Sequence, residues 1–367
     1  MKLESIALYE YYAPLSIPFV TSLRRVSELE GIIVRMETDS GIAGYGEAAP
    51  TAAITGETKA SICGAIALSI APALTGISLD SFEGAMHSLN KSIAHNTAAK
   101  AAVCAALYDI RAKSLNVPLH LLLGGSGEPI ETDITVSVGT IEDMANQSLS
   151  ALNKGYKSLK IKMGGDPALD AQRAIACYKA APGLEYRIDA NMAWTVKGTL
   201  LAVELMEKAG MPISLVEQPV QADDLKGLKF IRDRISAAVL ADESCFSAKD
   251  AIRILDDQAA DMINIKLAKC GGIYEAIKIA AICEEYGAQA MVGSMMEGAI
   301  ACSAAAIFAS SCSAVSMADI DAPLLLREDP VIGGCGFIGP LVTMPRGNGI
   351  GAQMPALAKE ITSIALN

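Results

Sequence analysis

Residues 158–189 read SLKIKMGGDPALDAQRAIACYKAAPGLEYRID, and their reading decides the fold. SLKIKM alternates Leu159 and Ile161 with Lys160 and Lys162, the period-two pattern of a strand whose two faces meet different surroundings. Asp166-Pro167 then supplies an N-cap with proline at the first helical position. After the helical stretch a second apolar run, EYRID, closes on an acid. Strand, helix and strand in this order make a βα unit that leads into the next.

The unit repeats outward from there. DITVSV (133–138), SLKIKM (158–163), EYRID (185–189), ISLV (213–216), AAVLA (237–241), DMINI (261–265), QAMVG (289–293) and VSMAD (315–319) begin 24 to 28 residues apart. Ser247 and Asp250 read as a capping box with Asp in place of the usual Glu, and Gly155, Gly210 and Gly287 stop three of the intervening helices. Repetition at this period predicts eight parallel strands closed into a barrel. An open doubly wound sheet is the competing topology.

The flanks differ. Residues 1–50 predict antiparallel strands with a turn at Asp39–Gly41, and SIPFVTSLRRVSE (16–28), holding Arg24 and Arg25, reads as a polar, turn-prone stretch. APTAAITGET (49–58) leads into helical patterns near 57–72, 80–93 and 96–115. Strands followed by helices without alternation predict a separate α+β domain over 1–125, with LLLGGSGEPIET (121–132) at the boundary. The barrel is expected over 126–322. A Gly/Pro-rich tail, 323–367, is expected to pack back on the first domain and to hold a last helical piece near 353–365.

Composition bounds the function. Half the residues are apolar and 19% are charged, enough for a large core. A net charge of −11 argues against nucleic acid, whose phosphates need a basic footprint. Nine cysteines are scattered singly with no CxxC or Cys/His cluster, which reads as reduced thiols in a cytosol and not as a zinc site. MKLESIALYEYY lacks an apolar signal core, and no apolar run approaches the ~18 residues of a membrane span. The expectation is a soluble, cytoplasmic protein with a small-molecule partner, with no membrane or nucleic-acid partner, and compatible with a homo-oligomer.

Parallel barrels place their sites at the carboxyl ends of the strands. Asp189, Glu217 and Asp242 stand at three consecutive ends, and neighbouring strands lie ~4.8 Å apart. Three such carboxylates repel unless a hard cation such as Mg²⁺ joins them. A single acid there would more often cap the next helix; three in series favour metal. Lys160 and Lys162 share the interior face, since Leu159 and Ile161 point outward, and side by side they lower one another's pKa toward the range of a general base. Lys266, four strands on, shares its face with Asn264 and would stand on the other side of a metal-bound substrate. Lys269 is either structural or tunes Lys266. Asp319 and Asp321 share a face at the last strand and suit a positively charged substrate group, the bland reading being a salt bridge or cap.

Other signals fail. GGCGFIG contains a GxGxxG spacing (Gly334, Gly336, Gly339) but has no strand before it and no helix after it. No P-loop is present. His87, His95 and His120 all precede the barrel, which leaves proton transfer at its mouth to lysines. Met291, Met295 and Met296 read as pocket or core lining.

KxK at Lys160/Lys162, DAN at 189–191, EQP at 217–219, ADES around Asp242 and KxxKxGG at 266–272 together resemble the enolase superfamily, in its muconate-lactonizing subgroup, over nearly the whole chain. The resemblance implies a modified TIM barrel, (β/α)₇β, with an α+β capping domain formed from both termini. It implies Mg²⁺ held by Asp189, Glu217 and Asp242, with Asn191 and Lys269 in support. The DxD of Asp319/Asp321 is similar to that of dipeptide epimerases, where it holds the substrate α-ammonium. Arg24, with ITGET at 54–58, is similar to the capping loops of L-Ala-D/L-Glu epimerases, where the arginine meets the glutamate carboxylate. Thr135, Ser294, Met296 and Glu297 are then expected to touch substrate. Gly298 and Ala299 depart from the larger or polar residues such epimerases often carry. The implied reaction is inversion at the α-carbon of a dipeptide's C-terminal residue through an enediolate, Lys162 serving one face and Lys266 the other, with Lys160 tuning Lys162. o-Succinylbenzoate synthase or muconate cycloisomerase chemistry uses the same lysines, but its substrates lack the ammonium that Asp319/Asp321 suit. A Schiff-base aldolase or a non-catalytic binding barrel would leave the acids without a purpose.

Overall fold

The computed structural model describes residues 1–366. Strands β1 (Leu3–Val20), β2 (Arg25–Thr38) and β3 (Ala43–Ala48) form an antiparallel sheet, followed by helices of which the longest is α1 (Thr97–Ser114). The eight parallel strands are β4 (Ile134–Val136), β5 (Ser158–Lys162), β6 (Glu185–Asp189), β7 (Ile213–Glu217), β8 (Ala238–Ala241), β9 (Met262–Ile265), β10 (Gln289–Gly293) and β11 (Val315–Asp319), paired in chain order. Between them run α2 (Ile141–Asn153), α3 (Pro167–Ala180), α4 (Val196–Lys208), α5 (Leu225–Arg232), α6 (Ala248–Asp256), α7 (Ile273–Glu285) and α8 (Ala299–Ser310). First and last strands are joined at the barrel seam, where the Asp133 amide donates to the Ala318 carbonyl at 3.3 Å and the Ile320 amide to Thr132 Oγ1 at 2.9 Å. The sheet is thus the (β/α)₇β barrel and not an open doubly wound sheet.

Local chemistry sets these elements. Asp166 caps α3 by accepting from the amides of Ala168 and Leu169, and Ser247 caps α6 by accepting from Asp250. Gly155, Gly210 and Gly287 adopt φ of 84°, 77° and 65° just past helix ends, a conformation glycine takes without steric cost. Along each barrel strand the outward residues, such as Leu159, Ile161 and Ile188, are buried beneath helices. Inward, Leu215, Leu240, Met262 and Met291 fill the barrel as an apolar plug.

Two expectations are corrected. The stretch 16–28 is strand almost throughout: Phe19 pairs with Val26 and Val20 with Arg25, so only residues 21–24 form the turn. Backbone pairing within a long hairpin overrides its polar composition, and Pro18, with no N–H to give, falls in the irregular step between Pro14 and Phe19. The segment near 353–365 is not helical. Lys359–Ala365 is strand β12, antiparallel to the free edge of β1, with Ser5 opposite Ala365. Short apolar runs do not distinguish helix from strand, and the open edge of β1 decides this one.

One buried carboxylate joins the two parts. Glu47 of β3 accepts from the Tyr11 hydroxyl at 2.5 Å and from the amides of Gly298 at 3.0 Å and Ala301 at 3.1 Å, at the start of α8. Burial pushes it up to about 7. A side chain at residue 298 would collide with the Tyr11 hydroxyl and Glu47, so Gly298 answers to this packing and not to substrate. Glu47→Ala would leave three donors unpaired, with an expected loss of about 3 kcal/mol. Urea unfolding checks this; an unchanged midpoint would show that the clasp contributes nothing.

Candidate active site

The barrel register assembles the site. Lys162 is opposite Asp189 and Asp189 opposite Glu217, one strand step apart each. All of these side chains are buried, as are Asp242, Lys266, Lys269, Asp319 and Asp321. Beneath them the apolar plug closes the floor, and a low dielectric strengthens each charge interaction above it.

Cations and anions alternate here. Lys160 Nζ lies 2.6 Å from Asp319, 2.8 Å from Glu217 and 3.1 Å from Asp189. Lys162 is 2.6 Å from Asp189, and Lys266 is 2.8 Å from Asp242. Lys269 is 2.6 Å from Asp242 Oδ1 and also donates to the Asn264 carbonyl at 3.1 Å. Burial opposes charge on Lys160, yet Asp319, Glu217 and Asp189 outweigh it and raise its pKa well above the ordinary value. Lys266 is raised likewise, Asp242 overcoming burial. The expectation that Lys160 and its neighbouring ammonium lower one another is therefore not met at Lys160, because facing carboxylates are nearer than the second lysine's influence. Lys269 is a counter-ion to Asp242, with no direct contact to Lys266 in these pairings.

The acids divide. Burial works against the charge of each; Lys162 and Lys160 hold Asp189 below its usual value, and Lys266 and Lys269 hold Asp242 well below it. Asp319 is held at about 2 by Lys160, Lys162 and Lys266 against its burial. Glu217 is pushed up to about 8 by burial and the Asp189 charge. Asp321 is pushed up to about 6 by burial and Asp319.

Asp189, Glu217 and Asp242 offer hard oxygen donors from three adjacent strands, the donor set that suits Mg²⁺. Glu217 Oε2 and Asp242 Oδ1 are buried and accept no aligned hydrogen bond, so their ion pairs at 2.8 Å and 2.6 Å leave lone pairs unspent. Among the described residues no three His, Cys, Asp or Glu groups converge into a ready cage. Lys160 stands between Asp189, Glu217 and Asp319, and these acids meet at its ammonium. The unspent lone pairs of Glu217 and Asp242, at the ends of the two strands after that of Asp189, are what fits a hard cation here.

Above this layer lies a cavity. From the cap it is lined by Phe19, Thr21, Leu23, Arg24 and Ile54; from the barrel by Thr135, Lys162, Asn191, Lys266, Ser294, Met295, Met296, Asp319, Asp321 and Ala322. Lys162 and Lys266 enter it from β5 and the end of β9, four strands apart in a ring of eight and hence on opposite sides. Lys160 and Lys269 do not line it. The hairpin tip is seated on the Asp189 loop, where the Ser22 hydroxyl donates to the Ala190 and Asn191 carbonyls at 3.3 Å. Arg24 is turned into the cavity and forms no ion pair among the described residues; burial lowers its pKa. The Thr135 amide donates to Asp321 at 2.6 Å. Glu297, expected at the substrate, does not reach the cavity wall: it folds back to accept from the Met295 amide at 3.0 Å and shapes the loop that carries Met295 and Met296.

Several residues escaped the sequence reading. Glu243, next to Asp242, accepts from Asn191 Nδ2 at 3.1 Å and keeps Oε2 buried without a partner. Gln218, with φ of 32°, accepts from the amides of Asp242 at 2.9 Å and Ser244 at 3.2 Å, locking two acid-bearing strand ends together. Phe19 lies 5.8 Å from Lys162 Nζ, a cation–π contact. Glu243 and Gln218 stand inside the ADES and EQP motifs, which gave them no role of their own, and nothing local marks Phe19.

Comparison with known proteins agrees with this geometry. Residues 5–124 match the family described as mandelate racemase / muconate lactonizing enzyme, N-terminal domain, and residues 143–358 the family described as enolase C-terminal domain-like. The chain is 43% identical over 361 residues to the L-Ala-D/L-Glu epimerase of Bacillus subtilis, covering 98% of this chain and 99% of that one. A substrate-liganded structure of that epimerase superposes with a TM-score of 0.95, covering 97% of this chain and 100% of that one. The hydrophobic dipeptide epimerase of Enterococcus faecalis is 37% identical, covering 96% and 99%. A dipeptide epimerase of that organism, complexed with Mg and L-Leu-L-Tyr, superposes with a TM-score of 0.92 at 36% identity, covering 96% and 100%. Two lysines facing one cavity above three strand-end acids, in a chain alike over nearly its whole length to these proteins, place it in the enolase superfamily, in the mandelate racemase/muconate lactonizing branch.

Proposed function

We propose that this protein is a Mg²⁺-dependent dipeptide epimerase, an isomerase that inverts the α-carbon of the C-terminal residue, with L-Ala-D/L-Glu as its substrate pair. The observation that carries the reading is the placement of Lys162 and Lys266 on opposite walls of one cavity, over Asp189, Glu217 and Asp242. Mg²⁺ held by those three acids supplies, when bound, the Lewis acidity that offsets negative charge building on the substrate carboxylate.

The chain's own residues do the rest. Lys162 and Lys266 each remove or return a proton at one face of the α-carbon, and inversion follows when removal and return use different lysines. Lys160, bound to Asp189, Glu217 and Asp319, sets the charge around Lys162 without reaching the cavity. Asp319 and Asp321 give two carboxylates for the dipeptide's α-ammonium, which the succinylbenzoate and muconate substrates lack. The hairpin tip and Ile54 cover the cavity and exclude water. Nine free cysteines support work in a reducing cytoplasm.

Proton NMR in D₂O with Mg²⁺ and a panel led by L-Ala-L-Glu and L-Ala-D-Glu tests the reading. Deuterium entering the α-position of the second residue, with the other epimer appearing, is the expected result. No exchange with any dipeptide would reject it. Arg24, a cavity-facing cation with no counter-ion among the described residues, assigns the preference for glutamate. In Arg24→Ala, kcat/KM for L-Ala-L-Glu should fall roughly 10- to 100-fold, the worth of a lost hydrogen bond to a charged group. An apolar dipeptide such as L-Ala-L-Leu should be little affected. An equal fall for both would remove Arg24 from side-chain recognition.

A further inference from the structure

The inward position at each barrel strand end carries a functional side chain, with one exception. Lys162, Asp189, Glu217, Asp242, Lys266 and Asp319 fill six of them, and Thr135, opposite Lys160, is the inward residue of β4; β10 ends at Gly293. Gly293 pairs with Asp319 on one side and follows Val292, the partner of Ile265, on the other, so it stands beside Lys266. Met291, two residues before it, belongs to the barrel plug, which places Gly293 on the same inner face.

Its backbone does not require glycine, for Gly293 is not among the positive-φ residues. The space does. A Cβ at 293 would stand 2.9 Å from Lys266 Cε, and 2.7 Å and 3.0 Å from Oδ1 and Nδ2 of Asn264. These are closer than nonbonded atoms tolerate, so something must give. Asn264 is tethered, donating to Glu217 Oε1 at 2.9 Å. Lys266 is also held, to Asp242 at 2.8 Å, but its longer chain has more rotatable bonds than Asn264 and is the one able to shift, carrying the ammonium with it.

We propose that Gly293 is a positioning residue for one of the two bases: the missing side chain is the slot through which the Lys266 methylene chain reaches the substrate α-carbon. The slot serves only one face of the reaction. Lys162, across the barrel on β5, has no contact with it. This assignment rests on the two-base reading above.

The test is Gly293→Ala, with each epimer of Ala-Glu followed separately for initial α-deuterium incorporation in D₂O with Mg²⁺. The epimer that depends on Lys266 is identified as the one that stops exchanging in Lys266→Ala. In Gly293→Ala that epimer should exchange at least about tenfold more slowly, since misplacing a catalytic group by about 1 Å can cost roughly 100-fold. The other epimer should stay within about twofold of wild type, as a face served by Lys162 alone keeps its geometry. A general structural defect would slow both alike, and that result, or no change in either, overturns the proposal. Loss of Mg²⁺ affinity, followed through the single tryptophan Trp194, would likewise overturn it by making Asn264 and Glu217 the group displaced. If the wild-type protein exchanges no dipeptide, the epimerase reading fails, and a crystal structure of Gly293→Ala still decides the slot. Lys266 Nζ remaining 2.8 Å from Asp242 would reject it, and a displaced ammonium would support it.

Discussion

Replacing Lys266 with alanine is expected to abolish epimerization while one epimer of the substrate continues to exchange its α-proton with solvent. The expectation follows from where the lysines stand. Lys162 and Lys266 enter the cavity from strands four apart, so each reaches one face of a carbon held between them. Removing one leaves the other able to take a proton and return it, after trading with solvent, to the face it came from. Inversion needs both. A positioned acid–base group contributes about 10²- to 10⁴-fold, and the loss in net epimerization should be of that order. Lys162→Ala should spare the opposite epimer. Lys160→Ala should slow both, because Lys160 contacts Asp319, Glu217 and Asp189 and does not line the cavity. Near wild-type epimerization by Lys266→Ala, read by proton NMR, would end the two-base scheme.

How much of this was legible depended on whether the signal was local. Period two in SLKIKM, the caps at Asp166 and Ser247, and the acids ending EYRID and ISLVE are local, and they placed the barrel and its strand-end acids within a residue or two. What depends on distant pairing was not legible. Lys359–Ala365 is a strand because β1 has a free edge far away in sequence. Residues 16–28 are strand because the hairpin pairs with itself. The same holds within the site. Inward alternation put Lys160 and Lys162 on one face, but their difference comes from neighbours on other strands: Lys160 meets three acids, while Lys162 meets Asp189 and the Phe19 ring from the cap. Glu297 was expected at the substrate from the resemblance, and only the turn of its loop shows that it bonds inward to the Met295 amide.

Asp242→Asn should produce the largest loss of stability among the site acids, together with loss of stabilisation by Mg²⁺. Asp242 is fully buried and is the near partner of two ammonium groups, Lys266 at 2.8 Å and Lys269 at 2.6 Å. Those two charges hold its pKa well below the usual carboxylate range despite burial. Asparagine keeps the shape and removes the charge, which leaves two buried cations facing a neutral amide. Breaking one buried ion pair costs about 3–5 kcal/mol, and here two share one anion. Asp189→Asn is the informative contrast. Asp189 also faces two ammonium groups, Lys162 at 2.6 Å and Lys160 at 3.1 Å, but Lys160 would still hold Glu217 and Asp319, whereas Lys269 pairs with no carboxylate but Asp242 among the described residues, so the loss should be smaller. Urea unfolding of both variants, with and without Mg²⁺, reads the two effects separately. In wild type, Mg²⁺ well above its Kd should raise the midpoint, since an ion that binds only the folded chain stabilises it by RT ln(1 + [Mg²⁺]/Kd). In Asp242→Asn the midpoint should fall and the Mg²⁺ increment should vanish. A variant as stable as wild type would mean that Lys266 and Lys269 do not depend on Asp242. An undiminished Mg²⁺ increment would remove Asp242 from the ligand set, even if the stability loss were as large as expected.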